Sequence, residues 1–375
     1  MNVSVLQKNL AYGLSVVSRA VSARSTLPVL GNILIASDEG RLRLSATNLE
    51  MGITCWVSAK IEVEGATTVP ARTFGDLVNT LSDQAIALSL DENTQTLRVE
   101  CGSSHTNVKC ISAEEFPPMP VSELSNGVVI QVGDFKEVVQ QVAFAASSDD
   151  ARPILTGVLM QVNGDEIALS ATDGFRLSVR KAKLAAPASI PLRTVVPARA
   201  LSELARIAGD GDETLTILHL EKRNQIVFRL KNIEVVSQLI EGNYPDVSQI
   251  IPRNYATRTV LSTQAFLKAC KQVEIFAREG SSIARLSIVP GGEMQPGSVE
   301  ISGQSEEIGS SRNLMDASID GEAMVIAFNV RFLREVLDVI KTPNVALETT
   351  RSDTPGILRP INDDQFLHVI MPMHP

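Results

Sequence analysis

The feature that most constrains this chain is a short segment that recurs at a long, fixed period. Residues 67–72, Thr-Thr-Val-Pro-Ala-Arg, return as Thr-Val-Val-Pro-Ala-Arg at residues 194–199, so the two copies start 127 residues apart. Residues 325–331, Val-Ile-Ala-Phe-Asn-Val-Arg, form a more divergent third copy. A period of this length predicts tandem copies of one domain-sized unit, each large enough to hold its own core.

A helical stripe of apolar residues recurs with the same period. In three segments the apolar residues stand at positions i, i+4, i+7 and i+11, each time after a short strand-like stretch. The three sets are Leu10, Leu14, Val17 and Val21; Phe135, Val139, Val142 and Ala146; and Phe266, Cys270, Val273 and Ala277. These stripes predict the first helix of each copy.

The repeated Val-Pro-Ala-Arg element predicts the start of a second helix, because proline suits the first turn of a helix. The third copy has Asn329 in place of proline, and asparagine is a good N-cap residue. Short alternating runs separated by turn residues predict antiparallel strands around these helices. We therefore predict an α+β fold of three tandem repeats, with domains at 1–121, 127–249 and 253–375.

Composition excludes several classes of protein. The chain has no run of eighteen apolar residues and no amino-terminal signal pattern, which predicts a cytoplasmic protein without a membrane segment. Its four cysteines form no Cys-x-x-Cys pair, and its four histidines form no metal-binding pair, so neither a metal nor another cofactor is predicted. A net charge of −9 argues against a general nucleic-acid coat, although basic groups could still gather on one surface.

No catalytic motif is recognisable in the sequence, so we predict a protein that is not an enzyme. The acidic pairs Asp149-Asp150 and Asp363-Asp364 could hold a divalent ion. Both pairs stand beside turn-like sequence, and solvated loops are the stronger interpretation. A metal-dependent nuclease that uses these pairs remains one alternative function, and a scaffold of repeated domains that does not bind DNA is another.

Each copy of the repeat places an arginine at the start of its second helix: Arg72, Arg199 and Arg331. The helix dipole disfavours a cation at this end by a few tenths of a kcal/mol, roughly, so each arginine needs a partner. The guanidinium group binds carboxylates and phosphates equally well in its planar geometry. The arginines are therefore either structural ion-pair partners or contacts to a phosphate backbone.

Several motifs, spread in order over the whole chain, resemble those of the bacterial sliding clamps, the β subunits of DNA polymerase III. They are Arg24, residues 26–32 (Thr-Leu-Pro-Val-Leu-Gly-Asn), the 67–72 segment, residues 171–177 (Ala-Thr-Asp-Gly-Phe-Arg-Leu), residues 244–246 (Tyr-Pro-Asp) and residues 371–373 (Met-Pro-Met). The resemblance implies a homodimer joined head to tail, in a ring whose helices line the hole. It implies a ring that encircles double-stranded DNA, tethers the replicative DNA polymerase for processivity, and also docks the clamp loader and repair proteins.

The resemblance also implies site residues. Arg24 and Arg72 match positions associated with DNA, Arg152 stands near another such position, and the repeat adds Arg199. The dimer interface would join Thr106 and Val108 of one copy to Ile275 and Phe276 of the other. A groove for partner peptides is implied at Leu155, Thr172, Gly174, Phe175, Arg176, Leu177, Pro245, Val247, Val369, Ile370, Met371, Pro372 and Met373. Phe175 and Gln249 depart from the residues common in the family at these places.

Overall fold

The structure is a computed structural model that describes residues 1–22, 26–119, 127–209, 211–278, 282–292 and 295–373. The first copy of the repeat contains β1 (Asn2–Leu6), α1 (Gln7–Val17), β2 (Asn32–Asp38), β3 (Arg41–Thr47), β4 (Met51–Val57), β5 (Ala59–Val63), β6 (Ala66–Pro70), α2 (Ala71–Thr80), β7 (Ala85–Asp91), β8 (Thr96–Cys101) and β9 (Ser104–Lys109). The second copy contains β10 (Val128–Gln131), α3 (Val132–Val142), β11 (Gly157–Asn163), β12 (Glu166–Thr172), β13 (Arg176–Lys183), β14 (Leu192–Pro197), α4 (Ala198–Ile207), β15 (Thr214–Leu220), β16 (Gln225–Arg229) and β17 (Ile233–Gln238). The third copy contains β18 (Thr257–Ser262), α5 (Thr263–Ala277), β19 (Ile283–Val289), β20 (Gly297–Ser305), β21 (Gly309–Gly321), β22 (Met324–Asn329), α6 (Val330–Val339), β23 (Asn344–Thr349), β24 (Gly356–Pro360) and β25 (Phe366–Ile370).

These elements confirm the predicted α+β fold. All pairings between named strands in the described residues are antiparallel. The second helices α2, α4 and α6 begin at or next to the repeated Pro-Ala-Arg positions, as predicted. The predicted cap of α6 is also confirmed, because the Asn329 side chain accepts a hydrogen bond from the Arg331 amide at 3.0 Å.

Internal contacts divide the chain into two compact units, which we describe separately. The first unit comprises residues 1–133 and 206–239, and the second comprises residues 134–205 and 240–375. The predicted boundaries at 121/127 and 249/253 separate three copies of the repeat, and the two compact units do not follow them. The three predicted domains stay predictions.

The first unit holds two sheets. One has the strand order β5-β1-β7-β8-β9, and the other has the order β10-β15-β16-β17-β4-β3-β2-β6. Helix α1 packs on β3, β4 and α2. The approach is so close that a Cβ atom at Gly13 would lie 2.5 Å from Leu44 Cδ1, which explains the glycine inside this helix.

The second unit holds one continuous sheet in the order β14-β11-β12-β13-β25-β24-β23-β18-β21-β20-β19-β22. Helix α5 packs against α6 and against β20 and β21. Buried phenylalanines such as Phe266, Phe328 and Phe366 fill the core beneath these helices. In both units, therefore, the last strand of one copy joins the sheet of the copy before it: β17 pairs with β4, and β25 pairs with β13.

The first helices of the first two copies are shorter than the apolar stripes predicted. Helix α1 ends at Val17 and continues as a single 3-10 turn, Ser18–Ala20, so Val21 is outside it. The Ser18 hydroxyl donates to the Leu14 carbonyl at 2.6 Å, and this side-chain bond competes with continuation of the helix. Helix α3 ends in the same way, before a 3-10 turn at Ala143–Ala145.

Candidate functional site

Several of the predicted groove residues lie together in the second unit where β13 pairs with β25. Leu177 stands opposite Val369, and Arg176 stands opposite Ile370. The turn before β13 is held by Thr172, whose hydroxyl donates to the Arg176 carbonyl at 2.6 Å and accepts from the Gly174 amide at 3.0 Å. Gly174 has a φ of +94°, a backbone conformation that glycine adopts without strain.

A second wall of the groove comes from the segment after Tyr244. The buried Tyr244 hydroxyl accepts a hydrogen bond from the Thr172 amide at 3.1 Å, which ties the segment to the turn. Burial raises the pKa of Tyr244 to about 12, so the hydroxyl stays protonated. Pro245 is exposed, and Val247 packs against the cluster of Leu177 and Val369. The segment is therefore anchored by an internal hydrogen bond, and Val247 is its apolar contact with β13 and β25.

The end of the chain is held across the sheet after β25 ends. The Met371 amide donates to the Phe175 carbonyl at 2.9 Å, and the Met373 amide donates to the Ala327 carbonyl at 2.8 Å. Met371 is 38% exposed and Phe175 is 60% exposed, so both present apolar surface to solvent. The backbone bond between Phe175 and Met371 brings these two exposed residues together beside β13 and β25.

Arg176 is a buried part of this site rather than an exposed one. Its guanidinium pairs with Asp173 at 3.0 Å and with Glu335, and it donates to the Phe144 carbonyl at 2.8 Å. It also lies over the Phe332 ring, 4.3 Å from the centroid. Arg176 therefore positions the groove backbone by joining β13 to α6.

Leu155 and Arg152 are close together in the chain, at a 3-10 turn of the second unit. Leu155 is buried in a 3-10 turn at Pro153–Thr156. A Cβ atom at Gly174 would lie 3.4 Å from Arg152 Nη1, and Arg152 forms an ion pair with Asp149 at 3.4 Å. The structure thus places Arg152 beside the groove residues.

The other predicted DNA contacts have different surroundings. Arg24 lies outside the described residues. The Arg72 side chain is 96% exposed and 4.0 Å from Asp76, and Arg199 is an exposed residue on the first turn of α4. The third arginine of the repeat, Arg331, pairs with Glu335 at 2.7 Å, so the ion-pair alternative describes Arg331 better than Arg72.

The predicted interface residues lie on two different elements. Thr106 is half-buried and Val108 buried on β9, the last strand of its sheet. Ile275 is 52% exposed on α5, and Phe276 beside it is half-buried. The contact between copies stays a prediction.

The structure corrects the interpretation of one acidic pair. Asp149 and Asp150 are exposed near a turn, as predicted. Asp363, in contrast, is half-buried and forms an ion pair with Arg180 on β13, whereas its neighbour Asp364 is exposed. No group of three or more His, Cys, Asp or Glu side chains in the described residues could hold a metal ion.

Helices in the described part of the chain are all too short or too polar to cross a membrane.

Sequence reasoning quoted Tyr244 in the 244–246 motif but gave it no structural role, and it did not single out Glu335. The repeat could have indicated Tyr244, because the Tyr244-Pro245 pair matches Phe116-Pro117 in the first copy. Glu335 carries only a weak signal, its position four residues after Arg331 on a helix. Its second partner, Arg176, is 159 residues away in sequence, and local patterns do not report such pairs.

Comparison with known protein families gives matches along nearly the whole chain. Profiles of the DNA polymerase III beta subunit match in order: the N-terminal domain at residues 1–120, the central domain at 129–246 and the C-terminal domain at 248–374. The β sliding clamp of Synechococcus elongatus is 32% identical over 372 residues, which cover 98% of this chain and 97% of that protein. The chain belongs to the bacterial β sliding clamp family.

Solved clamps share its fold over the full length. The crystal structure of the Bacillus subtilis sliding clamp superimposes with a TM-score of 0.93 at 29% identity and covers 100% of this chain and 99% of that one. A Pseudomonas aeruginosa sliding clamp, solved bound to griselimycin, gives a TM-score of 0.91 at 26% identity and covers 100% of both chains. A β sliding clamp is a non-catalytic subunit of DNA polymerase III that confers processivity, and family membership confirms these predictions for this chain.

Proposed function

We propose that two copies of this clamp close head to tail into a ring around duplex DNA in the bacterial cytoplasm. The ring holds the duplex without reading its sequence, and the groove at β13 and β25 binds the polymerase and the clamp loader. The observation that supports the ring is the strand junction, in which the last strand of one copy pairs with the sheet of the copy before it. Two such junctions leave one strand edge open in the first copy of the repeat and one in the third.

The two junctions inside the chain have the same register. In the first unit Ile53 of β4 stands opposite Val235 of β17, and in the second Ser178 of β13 stands opposite His368 of β25. Ile53 pairs with Ala46 and Ser178 with Ala171, which occupy equivalent places in the repeated Ser-Ala-Thr segment. One geometry therefore joins each copy of the repeat to the next.

The same register, continued once more, joins β9 of one chain to β21 of another. In the described residues β9 pairs only with β8, and positions 309–316 of β21 pair only with β20. The repeat places Thr106 opposite Ser311 and Val108 opposite Gly309. Phe276 Cε1 lies 4.0 Å from the Cβ position of Gly309, so Val108 would pack next to Phe276. This supports the predicted interface, and a head-to-tail contact of this kind gives a closed ring when the rotation permits.

The ring is tested by oligomeric state and by topology. We expect Ile275→Asp to dissociate the dimer at micromolar concentration in analytical ultracentrifugation, because it buries a charge in the interface. Ile190→Asp is the matched control, since Ile190 is 69% exposed and lies outside the proposed contact.

With loader and ATP, the wild type should stay on nicked circular DNA and slide off once the circle is cut. A strictly monomeric wild type, or equal retention on circular and linear DNA, would disprove the ring.

Arg72 and Arg199 are the proposed phosphate contacts among the described residues. Each stands exposed on the first turn of a helix, and the net charge of −9 leaves the rest of the chain unattractive to DNA. Contacts to phosphates alone position a protein on DNA without specifying sequence. A closed ring needs only such weak contacts, because its topology prevents dissociation.

The groove is proposed to take the apolar end of a partner peptide. Exposed Phe175 and Met371 flank a floor of buried Leu177 and Val369, and methionine adapts to different ligands. The P. aeruginosa clamp bound to griselimycin supports the choice of griselimycin as a probe for this chain. We assign Arg152 to this groove instead of to DNA, on the strength of its position beside Gly174.

A further inference from the structure

The guanidinium group of Arg176 is held by three segments of the second unit. Its Nε donates to Asp173 in the turn before β13 at 3.0 Å, and its Nη2 donates to the Phe144 carbonyl at 2.8 Å. From α6, Glu335 accepts from Nη1, and the Phe332 ring lies beneath the guanidinium carbon. The Arg176 side chain is only 6% exposed, so these partners take the place of water around a buried charge.

Asp173 joins this buried arginine to the exposed residues of the groove. One carboxylate oxygen accepts from the Arg176 side chain, and the other accepts from the Phe175 amide at 2.9 Å and the Arg176 amide at 3.0 Å. The Phe175 carbonyl in turn accepts from the Met371 amide at 2.9 Å. A connected series of hydrogen bonds therefore runs from the Arg176 guanidinium to Phe175 and Met371.

Glu335 is the member of this series that belongs to another copy of the repeat. Its side chain is 17% exposed on α6, and its two oxygens have different partners. One oxygen accepts from Arg176, and the other accepts from Arg331 at 2.7 Å. Asp173 and Glu335 are the two carboxylates that pair with Arg176 in the described residues, so Glu335 supplies half of its countercharge.

We propose that Glu335 is a positioning residue of the peptide groove. Its carboxylate holds Arg176 where the arginine can orient Asp173, and this fixes Phe175 and Met371 before a peptide binds. A site that already has its binding conformation binds more tightly, because less ordering accompanies binding. The affinity of a groove built on β13 and β25 is thus set in part from α6. This inference rests on the proposed groove.

The test is the affinity of Glu335→Gln for griselimycin, measured by titration calorimetry at a temperature where the variant is folded. Glutamine keeps the size of the side chain and removes its charge. We expect binding about fivefold to twentyfold weaker than in the wild type, because a charge-assisted hydrogen bond becomes a neutral one.

Asp338→Asn is the matched control on the same helix. Asp338 pairs with Lys271 at 2.8 Å and with Arg334 at 3.3 Å, and it should keep wild-type affinity when neutralised. Equal affinity of Glu335→Gln and the wild type would overturn the inference while leaving the groove intact. No binding by the wild type would instead overturn the proposed groove.

A double-mutant cycle with Asp173→Asn separates positioning from a general loss of stability. Both substitutions act on the same guanidinium group, so the double variant should lose less affinity than the product of the two single losses. Independent losses would overturn the claim that Glu335 acts through Arg176.

Methyl NMR of methionine-labelled protein without ligand gives a second readout of position. The Met371 signal should shift in Glu335→Gln, whereas the buried methionines Met51 and Met160 should keep their wild-type signals. An unchanged Met371 signal would contradict positioning.

Glu335→Asp keeps the buried charge and guards against misfolding. Its carboxylate is one methylene shorter, so we expect a melting temperature near that of the wild type and an affinity between those of the wild type and Glu335→Gln. If only the aspartate variant folds, it decides alone, and wild-type affinity would then overturn the inference.

Discussion

At the scale of single residues, the candidate groove is supported by buried polar side chains. Arg176 is buried and holds Asp173, Glu335 and the Phe144 carbonyl at once. His368, one strand away, is fully buried, stacks on the Phe144 ring at 5.5 Å and shares a 2.6 Å hydrogen bond with Ser178. A polar network of this kind fixes the pairing of β13 with β25, since an unpaired buried group is costly.

The state of His368 makes stability depend on pH. Burial, and then the charge of Arg176, lower the pKa of His368 well below 6.5. The folded chain therefore binds fewer protons than the unfolded chain just below pH 6.5, and the free energy of unfolding falls as the pH falls. We expect His368 to lower the free energy of unfolding by up to about 1.4 kcal/mol for each pH unit that the pH falls between pH 6.5 and pH 5.

Urea denaturation of His368→Phe against wild type measures this contribution. Between pH 6.5 and pH 5, the free energy of unfolding should fall less steeply with pH for His368→Phe than for the wild type. His219→Phe should keep the wild-type slope, because His219 is exposed on β15. Equal pH slopes for His368→Phe and the wild type would contradict the assignment.

At the scale of elements, the residues that follow β25 are tied to two neighbouring segments of the second unit. Met371 and Met373 are fixed by backbone hydrogen bonds to Phe175 and Ala327. Their side chains are only partly buried, so they contribute little to the folded core.

We expect deletion of residues 371–375 to weaken griselimycin binding by about tenfold to a hundredfold, since two partly buried methionines contribute roughly 1–3 kcal/mol of apolar contact. Calorimetry measures the affinity, and ultracentrifugation should show an unchanged dimer. Deletion of residues 374–375 alone is the control and should keep full affinity. Unchanged affinity after the longer deletion would mean that the ligand binds elsewhere.

Most elements could be predicted from the sequence, because helix stripes and strand alternation are local patterns. The starts of α2 and α4 followed from the proline in the repeat, and the cap of α6 followed from Asn329. The exchange of final strands could not be predicted, because the alternating pattern of β17 suits pairing with β4 as well as with a strand of its own copy. For the site, the resemblance supplied the groove residues, whereas the buried partners of Arg176 are distant in sequence and have no local signal.

At the scale of the whole molecule, the net charge is negative although two equivalent helix starts carry exposed arginines. The chain carries a net charge of −9, yet Arg72 and Arg199 stand exposed at helix starts. Arg72 and Arg199 are exposed cations at equivalent places of the repeat, so we propose them as points of attraction for a polyanion.

We expect Arg72→Glu with Arg199→Glu to reduce retention on nicked circular DNA several-fold at low salt, because phosphate contacts are lost and repulsion is added. The control carries Arg223→Glu and Arg351→Glu, which change the net charge equally at exposed positions away from the helix starts. Both variants should melt within a few degrees of the wild type. A large loss of thermal stability in the first variant alone would support the ion-pair alternative for these arginines.

The pairing of β17 with β4 has a consequence for how the chain is made. Ile53 and its partner Val235 are 182 residues apart, so β4 leaves the ribosome long before the strand that completes its sheet. At ordinary rates of synthesis this interval is roughly 10 to 40 s. During that time the nascent chain carries a bare strand edge that can pair with a neighbouring nascent chain, so slow translation of the second repeat gives time for misassembly.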